Sequence, residues 1–457
     1  MASLGTEKCI TLKLMVLKEQ SKVIFAEAGK DFVDVLFSFL TLPLGTILRL
    51  VRKESKLQPL ELSSLSLIYQ SAENLPIECL RTDTCEEMLL RPRNSMEDHC
   101  RSLKINIDDT KPTQYFVCNN WVQCGHKEDP VLISTFKNKS CRCGVMLQKP
   151  ISSDTSCDFD GFVNSNASFL ITDDLKVFPN LLATCVNVLK DSGIKDMSSV
   201  SEMTVNITKN QVVDLLKCCF CSRTVLTDLF LEKLPRHISQ ESGRITPWNL
   251  KANNCDKIVV KIMLRKSNRK ILLAEGKADF ADFLFSLLTI PLGGALRLME
   301  GCSYVGSVDG LYKSVVDLDE HYFTTKEVKN KFVNPLLAPQ FKSCNLLPLS
   351  CNNFPDDFFL DRRNKHNTRT CSLTSINEDF LFVDPLSDPI NKGKGYIKGP
   401  TAYIATDDLV VTPSSSICLM SLLSSMSIPV DDLEEKVVSI GTEEERMSSL
   451  HIWVTFA

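Results

Sequence analysis

Four cysteines in the first third of the chain have the residue type and spacing to hold a metal ion. Cys118 and Cys124 flank Trp121, and sixteen residues later comes the corner Cys141-Arg142-Cys143-Gly144. Thiolates are soft ligands that zinc accepts in a tetrahedron, and a glycine beside the last sulfur lets backbone amides approach it. His126, or His99 beside Cys100, is an alternative donor for one position. The spacing departs from the usual ribbon, in which two residues separate paired cysteines: here five residues lie inside the first pair and one inside the second. Free thiols in a loop-rich stretch are the competing reading. A site closed by four sulfurs has no open coordination position, so the zinc it predicts is a folding clip and not a Lewis acid.

Acidic residues form the second constellation. Asp31, Asp34 and Ser38 fall on one face of a helix. A catalytic reading pairs Glu27 and Asp34 as acid and base, with Arg49 as anion holder. The structural reading makes the acids a solvated stripe on an otherwise apolar helix. Asp31 then interacts with the helix dipole, worth about 0.3 to 1 kcal/mol, and Arg49 pairs with Glu27. Asp173-Asp174 and Asp407-Asp408 read first as turn residues. Cys218-Cys219-Phe220-Cys221 reads as small hydrophobic side chains in an amphipathic helix, with Arg223 the nearby group able to lower a thiol pKa. The chain has no phosphate-cradling glycine loop, His-Glu-x-x-His helix, Gly-x-Ser-x-Gly elbow or dinucleotide fingerprint.

The elements that must position these residues occur twice. Leu12 to Leu50 and Val260 to Leu298 overlay without a gap, so that Ala26-Glu27, Asp31-Phe32, Asp34, Leu36-Phe37-Ser38, Pro43-Leu44-Gly45 and Leu48-Arg49-Leu50 recur as Ala274-Glu275, Asp279-Phe280, Asp282, Leu284-Phe285-Ser286, Pro291-Leu292-Gly293 and Leu296-Arg297-Leu298. A second block, Gly161 to Pro179, matches Gly395 to Pro413 and carries Thr-Asp-Asp-Leu in both copies. Alternation at Ile10, Leu12, Leu14 and Val16 predicts a strand, Val23-Ile24-Phe25 its hairpin partner, and Phe32 to Leu40 a helix stopped at Pro43. A short strand over Leu48-Arg49-Leu50 is expected next. In the second block, Phe169-Leu170-Ile171 and Leu175-Lys176-Val177 form a strand pair around the Asp-Asp turn, with helices over Leu181 to Leu189 and Ile417 to Leu423. The first copy continues into helical Val212 to Cys219 and Thr224 to Leu231; the second stops early with the unrelated tail His451 to Ala457. The expected fold is α+β: two tandem homologous regions, each with β-β-α units at both ends and a variable middle. They are 1–231, with a Cys-rich insert near 115–145, and 257–457, degenerate and C-terminally shortened, joined by a polar linker over 232–256. Carried to the second copy, the Cys141-Cys143 corner falls at Ser375 to Asn377, with Cys371 nearby, so any metal belongs to the first copy alone.

Each copy has about two hundred residues, enough to bury roughly 70% of its unfolded surface without disulfides. Net charge is −4, from 52 basic and 56 acidic residues without long runs, which argues against nucleic acid or anionic lipid as partner. The longest apolar stretches, Val35 to Leu48 and Phe283 to Leu296, fall short of the roughly twenty residues a membrane span requires. Nineteen cysteines are an odd number in a large chain whose first residues carry no export signal, so reduced thiols or metal ligands are expected and the location is intracellular, cytoplasmic.

Several segments together carry a family resemblance: Phe25-Ala26-Glu27-Ala28-Gly29-Lys30-Asp31-Phe32-Val33-Asp34, Leu42-Pro43-Leu44-Gly45, Leu103-Lys104 to Asp108-Asp109, Tyr115-Phe116-Val117-Cys118, Cys141-Arg142-Cys143-Gly144 and Thr224-Val225-Leu226-Thr227-Asp228. The chain resembles the plant family called domain of unknown function 674 over nearly its whole length. The resemblance implies a plant protein commonly built from two related halves, with no established activity. What the two copies share is framework, which favours a non-enzymatic binding or scaffold protein whose partner is another protein. An enzyme using Glu27, Asp34 and Arg49 of the first copy, with a regulatory second copy, is the alternative.

Overall fold

The computed structural model describes residues 8–54, 63–120, 131–137, 139–151, 159–231, 258–301, 303, 306–341, 349–351, 380–382, 395–399 and 401–440. The 232–256 stretch, Cys371 and the Ser375 to Asn377 counterpart lie outside them, as does the tail after 440.

In the first half, β1 (Ile10–Leu17) and β2 (Lys22–Gly29) form the expected hairpin, with Lys13 opposite Glu27 and a bulge at Met15/Val16. Helices α1 (Lys30–Thr41), α2 (Leu44–Glu54), α3 (Ser63–Glu73), α4 (Thr84–Leu90) and α5 (Glu97–Arg101) follow. Three short strands, β3 (Tyr115–Cys118), β4 (Val131–Ser134) and β5 (Leu147–Ile151), occupy the Cys-rich insert. The half closes with β6 (Ser168–Thr172), β7 (Val177–Pro179), α6 (Leu182–Asp191), β8 (Val200–Ile207), α7 (Lys209–Cys221) and α8 (Val225–Phe230). The second half contributes β9 (Ile258–Arg265), β10 (Ile271–Gly276), α9 (Ala278–Ser286), α10 (Leu292–Leu298), α11 (Val308–Asp317), α12 (Lys326–Val333), β11 (Phe380–Phe382), β12 (Tyr403–Thr406), β13 (Val411–Pro413), α13 (Ser416–Ser425) and β14 (Leu433–Ile440).

These build an α+β fold around two antiparallel five-stranded sheets, ordered β7-β6-β2-β1-β8 and β13-β12-β10-β9-β14. Position for position, the two orders correspond. In β1 the inward residues Ile10, Leu12, Leu14 and Val16 are all buried, as a strand with one covered face requires. Helix α1 opens with Asp31 in its first turn, buries every residue from Phe32 to Thr41, and ends where Leu42 turns extended ahead of Pro43.

The chain differs from the sequence expectation immediately afterwards. Leu48-Arg49-Leu50 lies inside α2, and Leu296-Arg297-Leu298 inside α10, so neither is a strand. The reason is visible in the packing: Leu44, Ile47, Leu48 and Val51 are all buried, a spacing of one helical face. Pro43 therefore separates two helices where it was expected to precede a strand.

One hydrophobic core runs through both halves. It contains Leu14, Phe37 and Val177 together with Phe283, Phe332 and Val411. Phe37 stacks on Phe323 at 6.0 Å between ring centroids, and Phe162 meets Phe332 edge-on at 4.9 Å. The insert has its own small cluster of Phe116, Val117, Cys118, Val131, Ile133, Cys141 and Leu147. Its sheet is ordered β11-β4-β3-β5, with β11 from the second half parallel to β4.

Candidate metal centre

Cys118 ends β3, and Cys141 and Cys143 sit in the tight turn that leads into β5. The turn is made by backbone bonds: the Cys141 amide donates to the Val145 carbonyl at 2.8 Å and the Gly144 amide to the Cys141 carbonyl at 2.9 Å. Gly144 has φ +79°, the left-handed conformation that a glycine adopts at little cost. This folds Cys143 back toward β3. The three Sγ atoms lie within 4.8 Å of one another, with 3.5 Å between Cys118 and Cys143. The Asn120 amide points at the Cys118 sulfur from 3.4 Å. Cys118 and Cys141 are buried and Cys143 is exposed, so the cluster opens to solvent on one side. Burial, with the neighbouring Cys143 and Cys141 thiols, pushes the Cys118 thiol up to about 11. Three sulfurs this close form a donor set able to bind a metal ion. Cys124 and His126 lie outside the described residues. His99 is on α5, its ring against Phe159 at 4.5 Å.

The retained carboxylates do a different job. Asp34 is 2% exposed, and its Oδ1 accepts the amides of Phe162 at 2.8 Å and Val163 at 3.0 Å, while Lys30 Nζ lies 3.5 Å from Oδ2. In the second half Asp282 accepts the amides of Tyr396 at 2.6 Å and Ile397 at 2.8 Å. A glycine precedes each amide pair, Gly161 at φ +84° and Gly395 at φ +94°; a Cβ there would sit 2.0 Å from Asp34 Oδ2 and 1.9 Å from Asp282 Oδ2. Burial raises Asp34 to about 6 against the two amides and Lys30, and Asp282 to about 7 against its amides and Arg81. The solvated stripe expected at Asp34 and Ser38 is thus absent, because both side chains are buried on a helix enclosed almost all round.

The other candidates also have separate partners. Arg49 pairs with Asp109 and not with Glu27, which stands exposed on β2. Asp31 pairs with Lys104 at 3.0 Å. Among the described residues, Glu27, Asp34 and Arg49 therefore share no bonding partner. Asp173 does more than shape a turn: buried and raised to about 6 by that burial, it accepts the Thr227 amide and hydroxyl at 2.8 Å each and so anchors α8. In the second half Asp407 pairs with Lys270 at 2.8 Å.

At the end of α7, Cys218 and Cys219 are buried, and Cys221, half-buried, donates to the Lys217 carbonyl at 3.4 Å. A hydrogen bond with Cys218 lowers the Cys221 pKa, helped by the Lys217 ammonium. Lys217 is itself only 2% exposed. Sequence reasoning named Arg223 as the basic neighbour and missed Lys217, which adjoins Cys218 directly in the chain.

Among the described residues no helix is long and apolar enough to cross a membrane. No curated protein and no solved structure matches this chain. A family model matches residues 6–443, and on that match the chain belongs to the family described as Protein of unknown function (DUF674).

Proposed function

We propose that this is a non-catalytic binding protein of the cytoplasm that engages another protein, and that Cys118, Cys141 and Cys143 hold a structural zinc ion in its first half. The observation that carries the metal reading is the 3.5 Å between the Cys118 and Cys143 sulfurs. Two zinc–thiolate bonds of about 2.3 Å in a tetrahedron set their sulfurs about 3.7 Å apart. The insert gains from such a cross-link because its own apolar cluster is small. Zinc would tie the end of β3 to the 141–143 turn, replacing the protons of the three thiols. The non-catalytic reading is supported by the retained carboxylates Asp34 and Asp282, each committed to two backbone amides.

The test is metal quantitation on the purified full chain, paired with hydrogen exchange. The expected result is one zinc per chain, lost in Cys141→Ser with Cys143→Ser, with amide protection falling in β3 and β5 and unchanged in β1. Cobalt substitution should give the intense absorption of a tetrahedral thiolate site. Cys124→Ser alone asks whether Cys124, the remaining sulfur of the predicted set of four, is the fourth donor. Substoichiometric metal, with the double variant as protected as the parent, leaves free thiols as the correct reading.

A further inference from the structure

Several of the contacts that join the two halves come in reciprocal pairs. Leu44 donates its amide to the Ile290 carbonyl at 2.8 Å, and Leu292 donates to the Leu42 carbonyl at 2.9 Å. These are the same bond seen from each side, since Leu42-Pro43-Leu44 aligns with Ile290-Pro291-Leu292, and Pro43 and Pro291 form an antiparallel bridge. The glycines that follow repeat the pattern. A Cβ on Gly45 would lie 3.0 Å from the Leu288 carbonyl, and one on Gly293 3.0 Å from the Leu40 carbonyl. Close backbone approach therefore favours glycine on both sides, consistent with a Pro-Leu-Gly sequence kept twice.

The same exchange recurs away from this axis. The Arg81 amide donates to the Tyr396 carbonyl at 2.9 Å and the Thr324 amide to the Phe162 carbonyl at 2.9 Å. Lys398 donates to Cys79 at 2.8 Å and Asn164 to Tyr322 at 2.9 Å. On α3, Ser71 Oγ accepts the Val411 amide at 2.9 Å; on α11, Ser314 Oγ accepts the Val177 amide at 2.8 Å. Helix α3 of the first half thus supports β13 of the second sheet, while α11 of the second half supports β7 of the first.

Such a pattern, in which surface i meets j and j meets i, is the signature of an isologous two-fold interface with exchanged elements. We propose that the contact between the halves is a dimer interface enclosed in one chain, and that the partner this surface fits is a second copy of the same unit. The halves then cohere without their covalent link, and a first half is recognised by another first half as well as by its own second half. Two features break the symmetry: at the end of α7 the Cys219 carbonyl accepts the Ser307 amide and the Ser222 carbonyl the Ser307 hydroxyl, each at 2.7 Å, in a place where the second half has no helix among its described residues, and β11 of the second half pairs with β4 of the first-half insert. Both favour the mixed pair.

The experiment cuts the folded full chain at a protease site introduced between 232 and 256. The fragments are expected to elute together at the position of the uncut chain, to be retrieved one to one through an N-terminal tag, and to unfold in one transition. Adding Ser71→Ala and Ser314→Ala should weaken that retention by at least about thirtyfold. Fragments that separate under native conditions, or melt independently, overturn the proposal. When two cut preparations with different N-terminal tags are unfolded and refolded together, one tag should retrieve the other as a minority species beside the mixed pair. Absence of that species overturns recognition of a second copy.

Discussion

At the scale of single residues, the chain shows how a charge can be kept for its acceptor atoms. Asp34 and Asp282 were legible as retained acids, and Gly161 and Gly395 as retained glycines, but helical spacing states which residues share a face and not which face is buried. The link between each aspartate and its glycine is a tertiary contact, and the only sequence signal for it was that both members survive in both copies. The pH dependence of Asp282 follows from its burial. Its ordinary value is 3.8 and its folded value about 7, so the folded state holds the proton more tightly than the unfolded state. The stability this contributes is complete below about 4 and is lost as pH rises through about 7. Asn at this position does not titrate, yet its side-chain oxygen accepts the same two amides. Asp282→Asn should therefore match the parent near pH 4 and become the more stable protein by pH 8. At about 1.4 kcal/mol per pKa unit, the swing is bounded at roughly 4 kcal/mol. Asp282→Ala, which strands two buried amides at about 1–3 kcal/mol each, should be the less stable protein throughout. Denaturant midpoints across that pH range decide the matter, and a pH-independent difference for the Asn variant would contradict the assignment.

At the scale of elements, the hairpin strands β1 and β2 and helix α1 were readable from their periods, whereas short segments, the sheet-edge strands β8 and β14 and helix α3 were not. Leu48-Arg49-Leu50 mimics alternation when read alone, and only the wider spacing of Leu44, Ile47, Leu48 and Val51 reveals the helix. The Thr-Asp-Asp-Leu turns carry a subtler case. Leu175 and Leu409 adopt φ 61° and 66°, a left-handed conformation that glycine usually supplies at this bulge position. Both leucines are completely buried, so apolar burial outweighs a backbone cost of about 1–2 kcal/mol. Two substitutions separate these terms. Leu175→Ala removes the packing and keeps the strain, and should cost about 2–5 kcal/mol. Leu175→Gly removes both, and should be the more stable of the two variants by about 1 kcal/mol. Equal losses on chemical denaturation would mean that the turn stores no strain.

At the scale of the whole molecule, the gapless overlay of the two segments was plain in the sequence, but the way the two halves share a core was not. An overlay of two segments shows that they have common framework and is silent about whether each frames its own interior. The single core containing Phe37 and Phe332, with the serines that cross between halves, makes the stability of one sheet depend on residues of the other half. Val177 tests this dependence because its amide, buried at the edge of the first sheet, finds its acceptor on Ser314 more than a hundred positions away. Ser314→Ala leaves that amide without a partner, a cost of about 1–3 kcal/mol, while removing little apolar contact. The expected outcome is faster amide exchange in β7 and its neighbour β6, in the half that carries no substitution, together with a lower global midpoint. Ser71→Ala should produce the mirror effect at Val411 in β13. Exchange that quickens only around α11, with β7 as protected as before, would show that the two sheets open independently and that the shared core does not couple them.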